Sequence, residues 1–477
     1  TPIARENARA LVADWIVIQG RGHALAWEPE ILTRRIISWL TQAPLILQDA
    51  DHGFYRAFLR SLSRQVHYLQ KIAFKSRDGY PRLVAAIALA FAGLCIAGET
   101  RLSKRATRRL ARELERQILP DGGHISRNPA VLVSLLLDLL PLRQAYAARN
   151  QPPPKALLNA IDRMMPMLRF FRHGDGGFAL FNGMSSTPSD LLATLLAYDD
   201  TRGIPMASMP HTGFQRIDAG ATILIVDAGP PPPPNLSEEA HAGCLSFELS
   251  SGLNRIVTNC GMSSTGRDTW RVFARSTAAH STLVCHQTSS CQFVEQSAMK
   301  RLLQGAPIVS GPSHVESLRE TIDGGERLTA SHDGYLARFG LIHRRVLTMA
   351  HDGSRLEGED MLEPAPGGRI KGSQIRYALR FHLHPSVKAT RLDDAHGVML
   401  VLPNREVWTF EAAQDRVELE DSVFLAGNDG PRRTVQIVIH QNAREVSRVR
   451  WGFVRSANSA AATNARRQAR REPELPL

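Results

Sequence analysis

A helical N-terminal half followed by an antiparallel β-sandwich is the fold class this chain predicts, and three observations predict it. The 477 residues amount to roughly three typical domains, so more than one is expected. Up to about residue 200, apolar residues recur at three- and four-residue steps, the period of a buried helix face. Beyond about residue 205 the apolar period falls to two, and Gly, Asp and Asn punctuate short runs. The expected domains are therefore a helical one over 1–205 and a sandwich over 206–455. The Ala-, Asn- and Arg-rich tail, 456–477, is expected to be disordered.

The elements follow in order. Phe58, Leu62, Val66, Leu69 and Ile72 mark one helix face. The run 85–98 reads as a buried helix, since a membrane span needs roughly 18 apolar residues; no longer uninterrupted run is present, so no membrane span is expected. Ala106, Leu110, Leu114 and Ile118 share a face, with Lys104, Arg105, Arg108, Arg109 and Arg112 crowded on the other side. The run 131–142 is apolar nearly all round and belongs inside a helix array. The stretches 157–171 and 189–198 are helical in pattern, the second with Ser189 or Asp190 as N-cap. QPPP (151–154) and GDGG (174–177) break them apart.

In the second half, Leu245, Phe247 and Leu249 alternate with Ser246, Glu248 and Ser250, as in a half-buried strand. The runs 214–216 and 222–227 flank the turn Asp218-Ala219-Gly220. Further strand-like runs fall at 255–259, 281–286, 344–349, 397–402, 406–412 and 433–440. The five prolines 230–234 form a stiff extended spacer.

Composition limits the function. Apolar residues at 43% and charged residues at 22% exclude a wholly disordered chain. Lys and Arg number 58 against 46 Asp and Glu, and this net charge of +12 points to an anionic partner without separating nucleic acid, membrane surface and acidic polysaccharide. No zinc-finger spacing, phosphate-binding glycine loop or aromatic-interleaved basic strand is present, so nucleic acid is not an expected partner. Cys95, Cys244, Cys260, Cys285 and Cys291 form no CxxC pair and read as small buried hydrophobes. The chain opens on Thr1 with no charged-then-apolar leader, which gives no direct reading of export.

Four polar clusters stand out. DGGHISRN (121–128) carries Asp121, His124, Arg127 and Asn128; FFRHGDGGFALFN (170–182) carries Arg172, His173, Asp175 and Asn182. SEEAHAGCLSFEL (237–249) leads Glu239 and His241 into a strand, and RDTWRVFARSTAAHST (267–282) carries Trp270, Arg271, Arg275 and His280. Loops on a rigid scaffold carry binding and catalysis, although each cluster alone also reads as turn and capping chemistry.

Taken together, these blocks resemble the heparinase II/III-like polysaccharide lyases. DGGHISRN, LFNG (180–183), LIVDAGP (224–230), EAHAGCLSFEL (239–249) and FARSTAAHST (273–282) occur in order. ASHDGYLARFGLIHRRV (330–346), RFHLHP (380–385) and LEDSVFLAG (419–427) continue the match. The resemblance implies an incomplete (α/α) toroid of helical hairpins before the sandwich, and β-elimination on a uronic-acid polysaccharide such as heparin, heparan sulfate or another uronan. It implies a cleft lined by Arg127, Arg172, Arg271 and Arg275, with His173, Asn182 and Trp270 as further substrate contacts. It also implies a cell-envelope or periplasmic setting, and leaves the oligomeric state open.

That reaction makes demands. Removing the C5 proton beside a carboxylate requires donors that neutralise the carboxylate, a base near neutrality and an acid for the leaving oxygen. On the resemblance, His124 is base or clamp, Arg127 and Asn128 grip the carboxylate, and Glu239 and His241 come from the sandwich block. The departures bear on turnover. The family's toroid tyrosine has no counterpart, since Phe178 and Phe181 stand in that stretch and no tyrosine lies between Tyr146 and Tyr198. Tyr335, beside His332 and Asp333, is the available substitute. Glu239 stands where a histidine is expected and Gly243 where an aspartate is. The zinc site of some relatives maps onto His241, Asn259 and His280. Asn259 lacks a carboxylate's charge, so zinc affinity should fall; no cofactor is expected to be required, and the two histidines alternatively cross-brace strands. Two other readings stay open: a glycan-binding member without turnover, and an inverting glycosidase using Asp121 and Asp175, which needs carboxyls about 6.5–9.5 Å apart.

Overall fold

The computed structural model describes residues 2–20, 25–96, 98, 100–198, 203–263, 268–294 and 306–456. The expected tail from 457 onward lies outside them. The chain forms two compact units, Thr1–Ser126 with Val131–Met165, and Arg127–Ala130 with Pro166–Leu477. This division falls earlier than the change of sequence period at 205.

The first unit is helical. Its elements are α1 (Pro2–Gln19), α2 (Pro29–Thr41), α3 (Ala43–Leu47), α4 (His52–Ile72), α5 (Tyr80–Cys95), α6 (Thr100–Gln117), most of α7 (Pro129–Ala148) and the start of α8 (Lys155–Phe170). Asp51 caps α4 by accepting from the Phe54 N–H at 2.9 Å, and α4 buries Phe58, Leu62, Val66 and Leu69 as their spacing requires. Every residue of α5 from Leu83 to Leu94 is buried. A methyl group at Gly93 would sit 2.6 Å from the Ser103 Cα, so α5 and α6 meet at backbone distance and only glycine fits there. By length and composition α7 qualifies as a membrane span, which the sequence reading did not identify. Half of it is buried, and its Asp138 pairs with Arg34 at 2.7 Å within the unit, the arrangement of a core helix.

Among the described residues the second unit carries two large antiparallel sheets and a small two-stranded one, Gln292–Phe293 with Ile308–Ser310. In spatial order the nine-stranded sheet runs Ser208–Met209, Phe214–Ala219, Thr222–Asp227, Phe247–Ser251, Asn254–Thr258, Arg376–Leu383, Arg432–Asn442 and Glu418–Phe424, with Leu283–Cys285 also paired to Arg376–Leu383. The eight-stranded sheet runs Lys388–Arg391, Gly397–Val401, Val407–Ala412, Arg448–Arg455, Arg355–Pro364, Leu341–Ala350, Gly325–His332 and Val315–Ile322. Burial alternates without exception along Leu341–Ala350, as a strand with one face on a core demands. One core joins the sheets: Phe247 and Phe381 from the first meet Trp451 from the second at ring separations of 5.6 and 4.7 Å. Within it the Arg345 guanidinium holds Asp360 at 2.7 Å and reaches across to the Leu245 and Ser281 carbonyls. A short helix, α9 (Ser189–Leu196), precedes the strands.

Candidate functional site

Much of the polar chemistry singled out in the sequence converges in the second unit, beginning at Arg127. Arg127 and Asn182 both take left-handed backbone conformations, with φ of 59° and 45°. For arginine this costs about 1–2 kcal/mol, and its side chain is fixed by unusually complete bonding. Nε donates to the Thr212 carbonyl at 2.6 Å and Nη1 to those of Gly229 and Pro230 at 3.2 and 2.8 Å. Nη2 pairs with Asp227 and donates to the Gly213 carbonyl at 3.5 Å. All five N–H groups are committed, so this buried guanidinium has none left for a substrate carboxylate. That corrects the expectation of Arg127 as a clamp. Asn182 continues the chain: Nδ2 donates to Asp227 at 3.2 Å and Oδ1 accepts the His241 N–H at 3.2 Å.

Glu248 is the hub of a second network. It is fully buried and accepts from the Leu180 and Asn259 N–H groups at 3.0 and 2.9 Å. His173 Nε2 meets it at 3.1 Å, and His173 Nδ1 meets the Ser250 hydroxyl at 2.8 Å. Burial lowers the His173 pKa, and both ring nitrogens are occupied. His173 is thus a strut of the sheet and offers nothing to a substrate.

The geometry fixes the tautomers of His241 and His280. His280 Nδ1 donates to the Ser276 carbonyl at 2.7 Å, which leaves Nε2 as the acceptor for His241 Nδ1–H at 3.0 Å. His241 Nε2 therefore carries a lone pair, buried and without a hydrogen-bond partner among the described residues. Burial pushes His280 down to about 4 and His241 well below the ordinary histidine range. Asn259 is spent as well: Nδ2 lies 3.4 Å from Glu248 and Oδ1 accepts the Ser281 N–H at 3.0 Å. A methyl group at Gly243 would lie 2.7 Å from His280 Cδ2, so the imidazole fills the space a side chain at 243 would need. One open lone pair without a free carboxylate does not make a tetrahedral zinc site. His241, Asn259 and His280 do not fit the metal.

Other expected groups are corrected by their surroundings. In the first unit, His124 Nδ1 accepts from the Ser126 N–H at 3.1 Å and contacts its hydroxyl at 2.7 Å, while Nε2 donates to Gln117 at 2.9 Å. Burial pushes it down to about 3, so it is no base near neutrality. Tyr335 is buried in the sandwich core, donates to the Leu283 carbonyl at 2.8 Å and has its pKa raised by burial, which removes it as a solvent-reachable acid. Arg275 is buried and donates to the Ala240 and Ser237 carbonyls, each at 2.8 Å, so it is a scaffold residue and not a cleft cation. Asp121 accepts from Gly123 at 3.2 Å and Asp175 from Gly177 at 2.9 Å, the turn chemistry of their DGG sequences.

What remains open is smaller. Asn128 Oδ1 accepts the Ala130 N–H at 2.9 Å, while its Nδ2, beside Gly183, has no acceptor among the described residues. A methyl group at Gly183 would lie 3.2 Å from the Glu239 carbonyl, so Asn128, Gly183 and the Glu239 backbone meet. Glu239 is half-exposed and ion-paired with Arg271, and Trp270 packs edge-on against Phe273 at the surface of α10 (Asp268–Arg275).

Arg172 lies in another setting. It lines a cleft of about 480 Å³ in the second unit with Arg255, His384, Phe424, Asn428 and Arg432. The sequence reading singled out neither His384 nor Arg432. RFHLHP and the Gly-Asn-Asp-Gly turn at 427–430 were the signals, but only the fold brings them beside the GDGG loop.

An antiparallel sandwich joined in one chain to a helical unit defines a recognisable class. Residues 201–452 match the heparinase II/III-like C-terminal family. The fold is also that of heparinase III, matched at a TM-score of 0.72 and 15% identity over 94% of this chain and 73% of that one. Heparan sulfate lyase HepC of Pedobacter heparinus, as a mutant, matches at 0.68 and 16%, over 95% and 72%. The chain belongs to the heparinase II/III-like family. It is 32% identical to FtsZ-localized protein C of Caulobacter vibrioides over 473 residues, covering 95% of this chain and 79% of that protein.

Proposed function

We propose that this chain is an anionic-glycan-binding member of its family in which β-elimination is impaired. The family and the net charge of +12 support an acidic polysaccharide, of the heparan sulfate or another uronan type, as the partner. One observation carries the loss of turnover: the histidine expected as base is buried, has both ring nitrogens bonded and is pushed by that burial down to about 3. Proton abstraction needs a base within reach of substrate and near neutrality, and His124, His241 and Tyr335 each fail one of these conditions. The open Asn128 amide and the half-exposed Glu239–Arg271 pair suit binding of hydroxyls better than the full set of roles in elimination.

Incubation with heparin, heparan sulfate and alginate tests this, read by ultraviolet absorbance of the conjugated double bond and by titration calorimetry. The expected result is salt-sensitive binding with no absorbance change. Growth of the absorbance would restore the lyase reading, and absence of binding at low salt would remove both. A cell-envelope location belongs to the same proposal. The relationship to the Caulobacter protein favours a second reading, in which this chain is recruited to FtsZ; co-sedimentation with FtsZ polymers is the check.

A further inference from the structure

We propose that the cleft between the GDGG loop and the 424–432 turn is a subsite for a sugar carrying one anionic group, a carboxylate or a sulfate. The inference rests on the glycan-binding reading and gives it a place in the molecule. Three guanidiniums, of Arg172, Arg255 and Arg432, line this cleft with one carboxylate, that of Asp175. Arg255 and Asp175 neutralise each other at 2.9 Å, and Arg255 also donates to the Phe178 carbonyl at 2.9 Å. Arg172 spends only Nε, on the Gly176 carbonyl at 3.3 Å. Its terminal nitrogens, and the whole guanidinium of exposed Arg432, have no acceptor or acidic partner among the described residues. A cleft with two unpaired guanidinium forks suits an oxyanion, and a fork matches a carboxylate or sulfate edge with two parallel bonds.

The rest of the lining separates a sugar from a bare anion. Ala193 and Leu196 of α9, neither of them buried, supply with the edge of Phe424 apolar surface against which a pyranose face can rest. His384 packs edge-on against Phe424 with ring centroids 5.1 Å apart. Its Nδ1 accepts from the Ser386 N–H at 3.3 Å, which puts the proton of the neutral ring on Nε2, a donor with no partner among the described residues. Ser185, Ser186 and Asn428 add hydroxyl and amide groups at the rim. Apolar side chains, a small number of unpartnered polar groups and a volume near 480 Å³ suit a small ligand.

The test uses the full chain, with Arg172→Gln, Arg432→Gln and the double variant, titrated with methyl glucuronide, glucose 6-sulfate, methyl glucoside and inorganic sulfate. Unchanged thermal unfolding of the variants secures their fold. The charged sugars are expected to bind, the neutral glucoside to bind far more weakly, and the double variant to lose roughly tenfold or more in affinity for the charged ones. Equal affinity of wild type and double variant for methyl glucuronide and glucose 6-sulfate would overturn the subsite, as would inorganic sulfate binding as tightly as the charged sugars. Heparan sulfate is titrated in parallel. Polymer binding that the variants leave untouched, with no effect on the monosaccharides, removes the subsite and keeps the glycan-binding reading. Monosaccharide binding lost in the variants, with no polymer bound to wild type, does the reverse.

Discussion

Around Arg127, Asp227, Asn182, Glu248 and His173, nearly every donor and acceptor is matched inside the protein, while around Arg172, Arg432 and His384 charged and polar atoms are left facing a cleft. Both regions lie in one unit, and both contain residues from loops that read as functional. Buried polar groups must be satisfied or they destabilise the fold, so a motif that is saturated internally has become scaffold. Solvent-facing guanidiniums without acids are free to meet a ligand. Family motifs locate the first region; unsatisfied chemistry locates the second.

Acid is the perturbation that strikes both. Burial holds His280, in the first region, and His384, in the second, each near pKa 4, against about 6.5 in an unfolded chain. The unfolded chain therefore takes up protons that the folded one refuses. The stability of the neutral histidines is complete above about pH 6.5 and is lost as pH falls toward 4. Each histidine contributes up to about 1.4 kcal/mol per pH unit over that window. Buried His124 and His382, both near 3, add to it. Denaturant midpoints measured between pH 7.5 and 4.5 should drop steeply below pH 6; a flat profile would mean these rings are hydrated or charged in the native state.

Asp227→Ala separates the regions. It strands the buried Arg127 guanidinium, whose remaining partners are carbonyls, and is expected to cost about 3–5 kcal/mol. Urea unfolding measures it. A loss under 1 kcal/mol would show that Arg127 finds water or another acceptor, and the saturated region would then be less closed than its bonding implies.

These two regions were unequally legible in the sequence. The change of apolar period identified helices and strands, and the blocks 239–249 and 273–282 identified the family, because periodicity and contiguous motifs are local. Whether His124 is a base or a strut depends on Gln117 and Ser126 reaching its two nitrogens, and whether Arg127 is a clamp depends on carbonyls about 85 to 103 residues away. No spacing rule reports that. The same holds for Tyr335, whose place beside His332 and Asp333 reads as a substitute for the toroid tyrosine but whose ring fills the sandwich core. Gly243 was legible as a missing aspartate; that His280 occupies the vacated space was not.

That replacement gives a finer probe. Gly243→Ala puts a methyl group against His280 and should cost about 1–3 kcal/mol by overpacking, while disturbing the His241–His280 hydrogen bond. Imidazole nitrogen shifts of the two rings report it directly. If the rings keep their tautomers and stability is unchanged, the pair has more room than a 2.7 Å approach allows, enough for a metal to be accommodated beside it.

The smallest expected effect tests the other side of the comparison. Arg432→Gln removes a charge that has no acidic partner among the described residues, so unfolding free energy should move by no more than about 0.5 kcal/mol. Removing it also relieves repulsion with Arg172 and Arg255, which line the same cleft, so a small gain is as consistent as a small loss. A loss above 1 kcal/mol would mean that Arg432 braces the 424–432 turn. The cleft would then have the same internally committed character as the Arg127 region, and the contrast on which its assignment to a ligand depends would disappear.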